Sequence, residues 1–209
     1  VGGVRLYRAK GDGNGKCDGV LVDDTERAGL KGAAGAVTTA AAFFDGDNDG
    51  FVDLIVARYA DLNSPPKGAS FAFPDDFQGG GVRFYRNNGD GTFTDRTTNS
   101  GLGAVTGRVR RIPFGDFDND GYTDVVILRE DGSPFIFFGK GECRFTNRTS
   151  EAGKDLALSA AVDGAVTDFN HDGYFDLALW SPTGYQVLMN RGGGRFVETK
   201  GLPSITPPI

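Results

Sequence analysis

Apolar residues along this chain fall in runs of about five to eight, rich in Val, Ile, Leu and Phe and bounded by Gly, Asn and Asp. Runs of that length with those boundaries predict β-strands. The runs recur as a repeat. The segments "FDGDNDGFVDLIVARY", "GDFDNDGYTDVVILRE" and "TDFNHDGYFDLALWSP" share one pattern, an acidic stretch leading into an apolar strand. Each is followed by a second pattern, seen as "VRFYRNNGDGTFTDRT", "PFIFFGKGECRFTNRT" and "YQVLMNRGGGRFVETK". A fourth copy of the second pattern, "VRLYRAKGDGNGKCDGVLVDDT", opens the chain without the first before it.

One unit reads as strand A near Val37–Phe44, an acidic loop, strand B over Asp53–Tyr59, strand C over Val82–Asn87 and strand D over Thr92–Thr97. Four antiparallel strands repeated in series predict an all-β chain of β-propeller blades. The expected division is a partial blade over 1–30, with a C–D hairpin at residues 4–25, then full blades over 31–102, 103–155 and 156–203 and a tail over 204–209. These strands alone do not close a ring. Upstream sequence or a completing partner chain is expected, because an open propeller leaves edge strands at both ends.

The acidic loops start at Asp45, Asp116 and Asp168, giving periods of 71 and 52 residues by subtraction. The longer period reflects an insertion at residues 61–81, "DLNSPPKGASFAFPDDFQGGG", between strands B and C of the first full blade. An antiparallel meander places it on the face opposite the acidic loops. It carries Phe71, Phe73 and Phe77, which either fold back over their own blade or dock a partner.

Charge sharpens the picture. Of 28 acidic residues, 11 fall in three nine-residue windows that contain no Lys or Arg, leaving 22 basic against 17 acidic residues elsewhere. Like charges packed this closely repel unless a cation offsets them. In each window oxygen-bearing side chains stand at positions 1, 3, 5 and 9, with Gly at position 6 and an aromatic residue at position 7. The ligand sets would be Asp45, Asp47, Asp49 and Asp53; Asp116, Asp118, Asp120 and Asp124; and Asp168, Asn170, Asp172 and Asp176. Backbone carbonyls of Phe51, Tyr122 and Tyr174 would add further oxygens. An all-oxygen, multi-carboxylate set selects a hard cation, and its flexible geometry favours Ca²⁺ over Mg²⁺. An EF-hand would need Glu at position 12, where this chain has Val56, Ile127 and Leu179.

The pattern D-x-[DN]-x-D-G-x-x-D followed by an apolar strand resembles the FG-GAP or VCBS repeat, found in propellers of integrin alpha subunits and many secreted bacterial proteins. The stretch "YRNNGDGTFTDRTTNSGL" is similar to bacterial propellers of the UnbV/ASPIC type. The resemblance implies Ca²⁺-stabilised blades, usually seven per ring, outside the cytosol. An ASPIC-like C-terminal domain is not seen after Leu202.

Other residues read as structural. The turns "GDGNGKCDG" and "NNGDGT" fit hairpins. The single histidine, His171, sits at position 4 of the third loop and should face solvent, and no Ser/His/Asp or Cys/His constellation can be built around it. Catalysis is not expected. Arg108, Arg110 and Arg111 lie on strand A of the second full blade, where alternation would put Arg108 and Arg110 on one face, lining the channel or pairing with carboxylates. Cys17 and Cys143 fall in corresponding turns two blades apart, which suits free thiols or a bond to another chain better than an internal disulfide. No run of about 18 apolar residues is present, so no membrane span is expected, and neither is a nucleic-acid partner. The functional expectations are an extracellular, cell-surface or periplasmic module that binds a protein or glycan; a structural subunit assembling through open edges; or a non-catalytic part of a secreted enzyme.

Overall fold

The computed structural model describes residues 4–11, 16–30, 35–64, 72–154 and 156–199, with the side chains of Cys17 and Asp18 outside that description. Expectations resting on Phe71, on residues 12–15 and on the tail therefore lie outside the described residues. The chain opens with an antiparallel hairpin, β1 (Tyr7–Gly11) and β2 (Cys17–Asp23). Three blades follow. The first contains β3 (Ala36–Phe44), β4 (Asp53–Asp61), β5 (Gly81–Asn87) and β6 (Phe93–Asp95), paired in that order and antiparallel. The third repeats it with β12 (Asp163–Thr167), β13 (Asp176–Ser181), β14 (Gly184–Asn190) and β15 (Phe196–Glu198).

The second blade departs from the single inner strand expected. That strand is broken into β7 (Val109–Arg111) and β8 (Phe114–Gly115), both paired with β9 (Asp124–Arg129), while β10 (Gly132–Gly139) and β11 (Phe145–Asn147) complete the sheet. Pro113 lies in the break, where a residue without an N–H cannot donate to a ladder. A register shift also falls between Val109 and Arg111, and the three arginines around it take the carboxylate-pairing alternative. Each of them pairs with a carboxylate: Arg108 with Asp75 at 3.3 Å, Arg110 with Glu130 at 3.2 Å and Arg111 with Asp163 at 3.3 Å.

The blades meet through apolar cores that explain why the second strand of each blade reads as a continuous apolar run. On β9, Val125 and Ile127 join the core shared with the first blade, whereas Val126 and Leu128 join the core shared with the third. A strand buried on both faces has no polar side to present. Strand β4 likewise sends Ile55 and Ala57 forward to the second blade and Leu54 and Val56 back towards the hairpin. An outer-strand aromatic seals each joint. The Phe145 ring lies 5.4 Å from Phe84, and Phe196 lies 5.6 Å from Phe117. Two short turns absent from the sequence expectation, a 3₁₀ turn at Leu102–Ala104 and α1 (Thr149–Ala152), bury Leu102 and Ala152 in these joints.

The described part of the insertion folds back on its own blade. Phe73 packs 6.0 Å from Tyr59 and 6.0 Å from Phe77, and Asp61 N–H donates to the Gln78 carbonyl at 2.9 Å. It leaves β4 at the end opposite the acidic loop, which leads into Asp53.

Candidate metal centres

The three acidic loops share one hydrogen-bond scheme. At position 1, Oδ1 of Asp45, Asp116 and Asp168 accepts the N–H of Asp49, Asp120 and Asp172, each at 3.2 Å. The other oxygen accepts the N–H of the position-6 glycine, at 2.8 Å for Gly50 and 2.9 Å for Gly121 and Gly173. Those glycines hold φ of 88°, 87° and 85°, a region that L side chains rarely adopt, so the turn needs glycine there. At position 5, Oδ1 of Asp49, Asp120 and Asp172 accepts the N–H of Phe51, Tyr122 and Tyr174 at 2.9–3.0 Å. Position 4 is also left-handed, with φ of 60° at Asn48, 57° at Asn119 and 59° at His171. His171 faces solvent as expected.

Position 9 does something the spacing does not reveal. Asp53, Asp124 and Asp176 are buried, and both oxygens of each are bonded to backbone. Oδ2 accepts the N–H of position 2, from Gly46 at 2.9 Å, Phe117 at 2.7 Å and Phe169 at 2.9 Å. Oδ1 accepts from the third strand of the blade, from Asn87 at 2.8 Å, Gly139 at 2.8 Å and Asn190 at 2.7 Å. This carboxylate therefore clamps the start of its loop to the sheet. Burial pushes the Asp53 carboxyl above the ordinary range and that of Asp124 up to about 7. Asp118 is also raised, by burial and by the neighbouring charge of Asp120.

Position 3 points most directly to a cation. Oδ1 of Asp47 and Oδ1 of Asp118 are buried without a hydrogen-bond partner. A buried carboxylate oxygen left unpaired costs about 1–3 kcal/mol or more, so equivalent orphans in two repeats point to a cation. The remaining oxygens at positions 3 and 5 are paired with basic side chains that the sequence reading missed. Arg86 bonds Asp47 at 2.7 Å and Asp49 at 2.6 Å, Lys140 bonds Asp120 at 3.1 Å, and Arg148 bonds Asp118 at 3.1 Å. They lie far from their loops in sequence, Arg86 on β5, Lys140 just after β10 and Arg148 just after β11, where periodicity gives no clue.

The three loops are not equal. In the first, oxygens of Asp45, Asp47 and Asp49 converge within 4.8 Å of one another, as do ligand atoms of Asp47, Asp53 and Cys143. In the second, Asp116, Asp118 and Asp124 converge. No such group forms from the third loop among the described residues. There Asn170 brings no charge to position 3, and its amide is 2.9 Å from Asp172. The hard, all-oxygen donor sets of the first two loops fit a divalent cation.

Cys143 is free and buried, the first of the two alternatives expected for it. The turn carrying it tucks into the first acidic loop, where its Sγ donates to Asp53 Oδ2 at 3.3 Å. Burial, then the Asp53 charge, pushes this thiol well above its usual range.

Residues 71–127 and 116–179 each match the model of the FG-GAP-like repeat, together spanning 71–179 and just over half of the 209 residues. The chain belongs to the FG-GAP-like repeat family. Both matches contain the acidic loop Asp116–Asp124 and the second also contains Asp168–Asp176, whereas the loop Asp45–Asp53 lies outside them. Among solved structures the FG-GAP chain is similar to an Agrocybe aegerita lectin that recognises non-reducing terminal N-acetylglucosamine, at 17% identity and a TM-score of 0.38. That match covers 91% of this chain and 59% of the lectin. It is also similar to the Photorhabdus luminescens Tc holotoxin pore, at 15% identity and a TM-score of 0.34, over 93% of this chain and 10% of that one. The chain thus spans less than two thirds of either neighbour, and likeness at this level carries no argument about ligands. No curated protein matches it.

Proposed function

We propose that this chain is a Ca²⁺-loaded propeller segment that works outside the cytosol as a non-catalytic module binding a protein or glycan. The observation that carries the calcium reading is the pair of buried, unpartnered oxygens at Asp47 and Asp118, each inside a converging carboxylate group. Ca²⁺ would be held by Asp45, Asp47, Asp49, Asp53 and the Phe51 carbonyl in the first loop, and by Asp116, Asp118, Asp120, Asp124 and the Tyr122 carbonyl in the second. Asp168, Asn170, Asp172, Asp176 and the Tyr174 carbonyl form a third, weaker site, because position 3 is uncharged there. The ion supplies positive charge where like charges converge.

This chain's residues do the rest. The position-9 carboxylate ties each loop to its sheet, and the position-1 carboxylate folds the loop around its own N–H groups. With dissociation constants of about 0.1 mM and free Ca²⁺ of about 2 mM, each filled site adds roughly 1.8 kcal/mol. Cytosolic Ca²⁺ is too low to fill sites of that affinity, which supports an extracellular, cell-surface or periplasmic location. Against catalysis, the clustered carboxylates are committed to backbone and cation, so none is free as a general base. Thermal melting with and without chelator tests the reading: a large rise in Tm with Ca²⁺ is expected, and equal melting in both conditions would refute it.

A second reading, assembly through an open edge, is favoured by the outer face of the third blade. Trp180 is 43% exposed there, although its counterparts Ala57 and Leu128 on the earlier blades are fully buried by the blade that follows. Phe169 is 46% exposed, whereas its counterpart Phe117 is buried. Under this reading a blade from a second chain covers that face.

A further inference from the structure

The first acidic loop differs from the others in what the next blade brings to it. Cys143 stands in the β10–β11 turn at a position that is Gly91 in the first blade and Gly194 in the third. All three residues are left-handed, at φ of 56°, 81° and 69°. At the joint between the second and third blades a side chain is excluded, because a Cβ on Gly194 would come within 2.2 Å of the Phe138 ring. At the joint between the first and second blades the counterpart of Phe138 is Arg86, which turns away to Asp47 and Asp49 and leaves room for a thiol.

That thiol points at carboxylates. Cys143 is 2% exposed, with Sγ 3.3 Å from Asp53 Oδ2. Ligand atoms of Asp47, Asp53 and Cys143 lie within 4.8 Å of one another. Independently, the Asp47 side chain is only 9% exposed and its Oδ1 is buried without a partner. In a tetrahedral zinc site, metal–sulfur and metal–oxygen bonds of about 2.3 and 2.1 Å put S and O about 3.6 Å apart. The observed Sγ to Oδ2 spacing of 3.3 Å is close to that value. A cleft of about 690 Å³, lined by Asp49, Arg86, Arg96, Glu142 and Arg144 among others, gives the group access to solvent.

We propose that Asp47, Asp53 and Cys143 form a mixed oxygen–sulfur centre, through which this loop alone also binds a thiophilic divalent cation, Zn²⁺ or Cd²⁺, in competition with the Ca²⁺ proposed there. Three protein ligands leave one position for water, and sulfur selects softer cations than carboxylates do. Binding replaces the Sγ–H bond with an Sγ–metal bond and releases one proton to solvent. The inference rests on the calcium reading only in sharing Asp47 and Asp53 with it.

The test uses the full chain carrying Cys17→Ser, so that Cys143 is the only thiol, titrated with Cd²⁺ at saturating Ca²⁺. The expected result is an ultraviolet sulfur-to-cadmium charge-transfer band that saturates at one Cd²⁺ per chain and is competed away by Zn²⁺. The band should vanish in Cys143→Gly, which places at this turn the residue its two counterparts carry. Asp47→Asn should weaken the Cd²⁺ midpoint by roughly tenfold or more. No band in the Cys17→Ser protein, or a band that survives Cys143→Gly, overturns the proposal. Calcium-dependent melting retained without a band sinks this inference alone, whereas loss of both sinks the calcium reading as well.

Discussion

The Asn48 side-chain amide donates to the Gly121 carbonyl oxygen across 2.8 Å, from the first acidic loop to the second. Asn119 repeats the contact onto Gly173 of the third loop at 3.3 Å. Both asparagines are left-handed, a conformation their short polar side chains tolerate. The loops are thus strung together along one face. Asn48→Gly keeps the backbone conformation and removes only the bond, so a loss of about 0.5–1 kcal/mol is expected. Titration calorimetry should then show one Ca²⁺ binding step weakened by roughly two- to fivefold, with the fold intact. Unchanged binding steps would mean that the loops fill independently.

Much of this arrangement was legible in the residues themselves. The run Asp53–Tyr59 announces β4, and the D-x-D-x-D-G spacing announces the loop, because both depend on neighbours in sequence. The partners of the carboxylates were not legible. Arg86 and Cys143 reach the first loop from 33 and 90 residues beyond Asp53, and only the stacking of one blade on the next brings Cys143 there. The same limit hid the break at Pro113, since a proline at the inner edge of a sheet is compatible with a continuous strand until its pairing is known. Position 9 was assigned as a ligand from spacing alone, and its role as a backbone clamp depends on the N–H groups of Gly139 and its counterparts.

Asp118→Asn separates metal binding from folding. Its Oδ1 is a buried orphan in a crowded acidic loop, and burial already favours its neutral form. In chelator the variant should therefore melt no lower than the parent. In Ca²⁺ it should lose most of the roughly 1.8 kcal/mol that a filled site supplies. Equal Ca²⁺ stabilisation of variant and parent would remove Asp118 from the ligand set.

Asp124→Ala should behave in the opposite way. The carboxylate accepts the N–H of Phe117 at 2.7 Å and of Gly139 at 2.8 Å, so its removal orphans two backbone donors in a buried setting. Each orphan costs about 1–3 kcal/mol, which predicts a fall in Tm in chelator as well as in Ca²⁺. A variant destabilised only in Ca²⁺ would show the clamp to be unimportant.

The raised Asp124 carboxyl sets a pH dependence for the metal-free protein. Its folded pKa of about 7 lies above the unfolded value of 3.8, so between these the folded state holds a proton that the unfolded state releases. Stability in chelator should therefore fall as pH rises through that window, by up to about 1.4 kcal/mol per pH unit for one proton. Asp53, raised by the same burial, acts in the same direction. A bound cation favours the ionised forms and should flatten or reverse the trend. Chemical denaturation from about pH 5 to about pH 8, in chelator and in Ca²⁺, measures both slopes. Metal-free stability that increases with pH would contradict the assignment.

Trp180 tests whether the open face of the third blade is an interface. It is the only tryptophan in the chain, so its emission reports that face without labelling. Phe169 of the same blade is 46% exposed, a cost in apolar exposure that a covering blade would relieve, as it does for Phe117. If chains assemble there, emission should shift to shorter wavelength as concentration rises, in step with an increase in mass by light scattering. Trp180→Ser would remove the optical probe together with the contact, so Phe169→Ser carries the comparison: it should keep the Trp180 signal, abolish the shift and leave Ca²⁺-dependent melting unchanged. A chain that remains monomeric, with solvent-like emission at every concentration, would leave the edge-assembly reading without support and favour the discrete binding module.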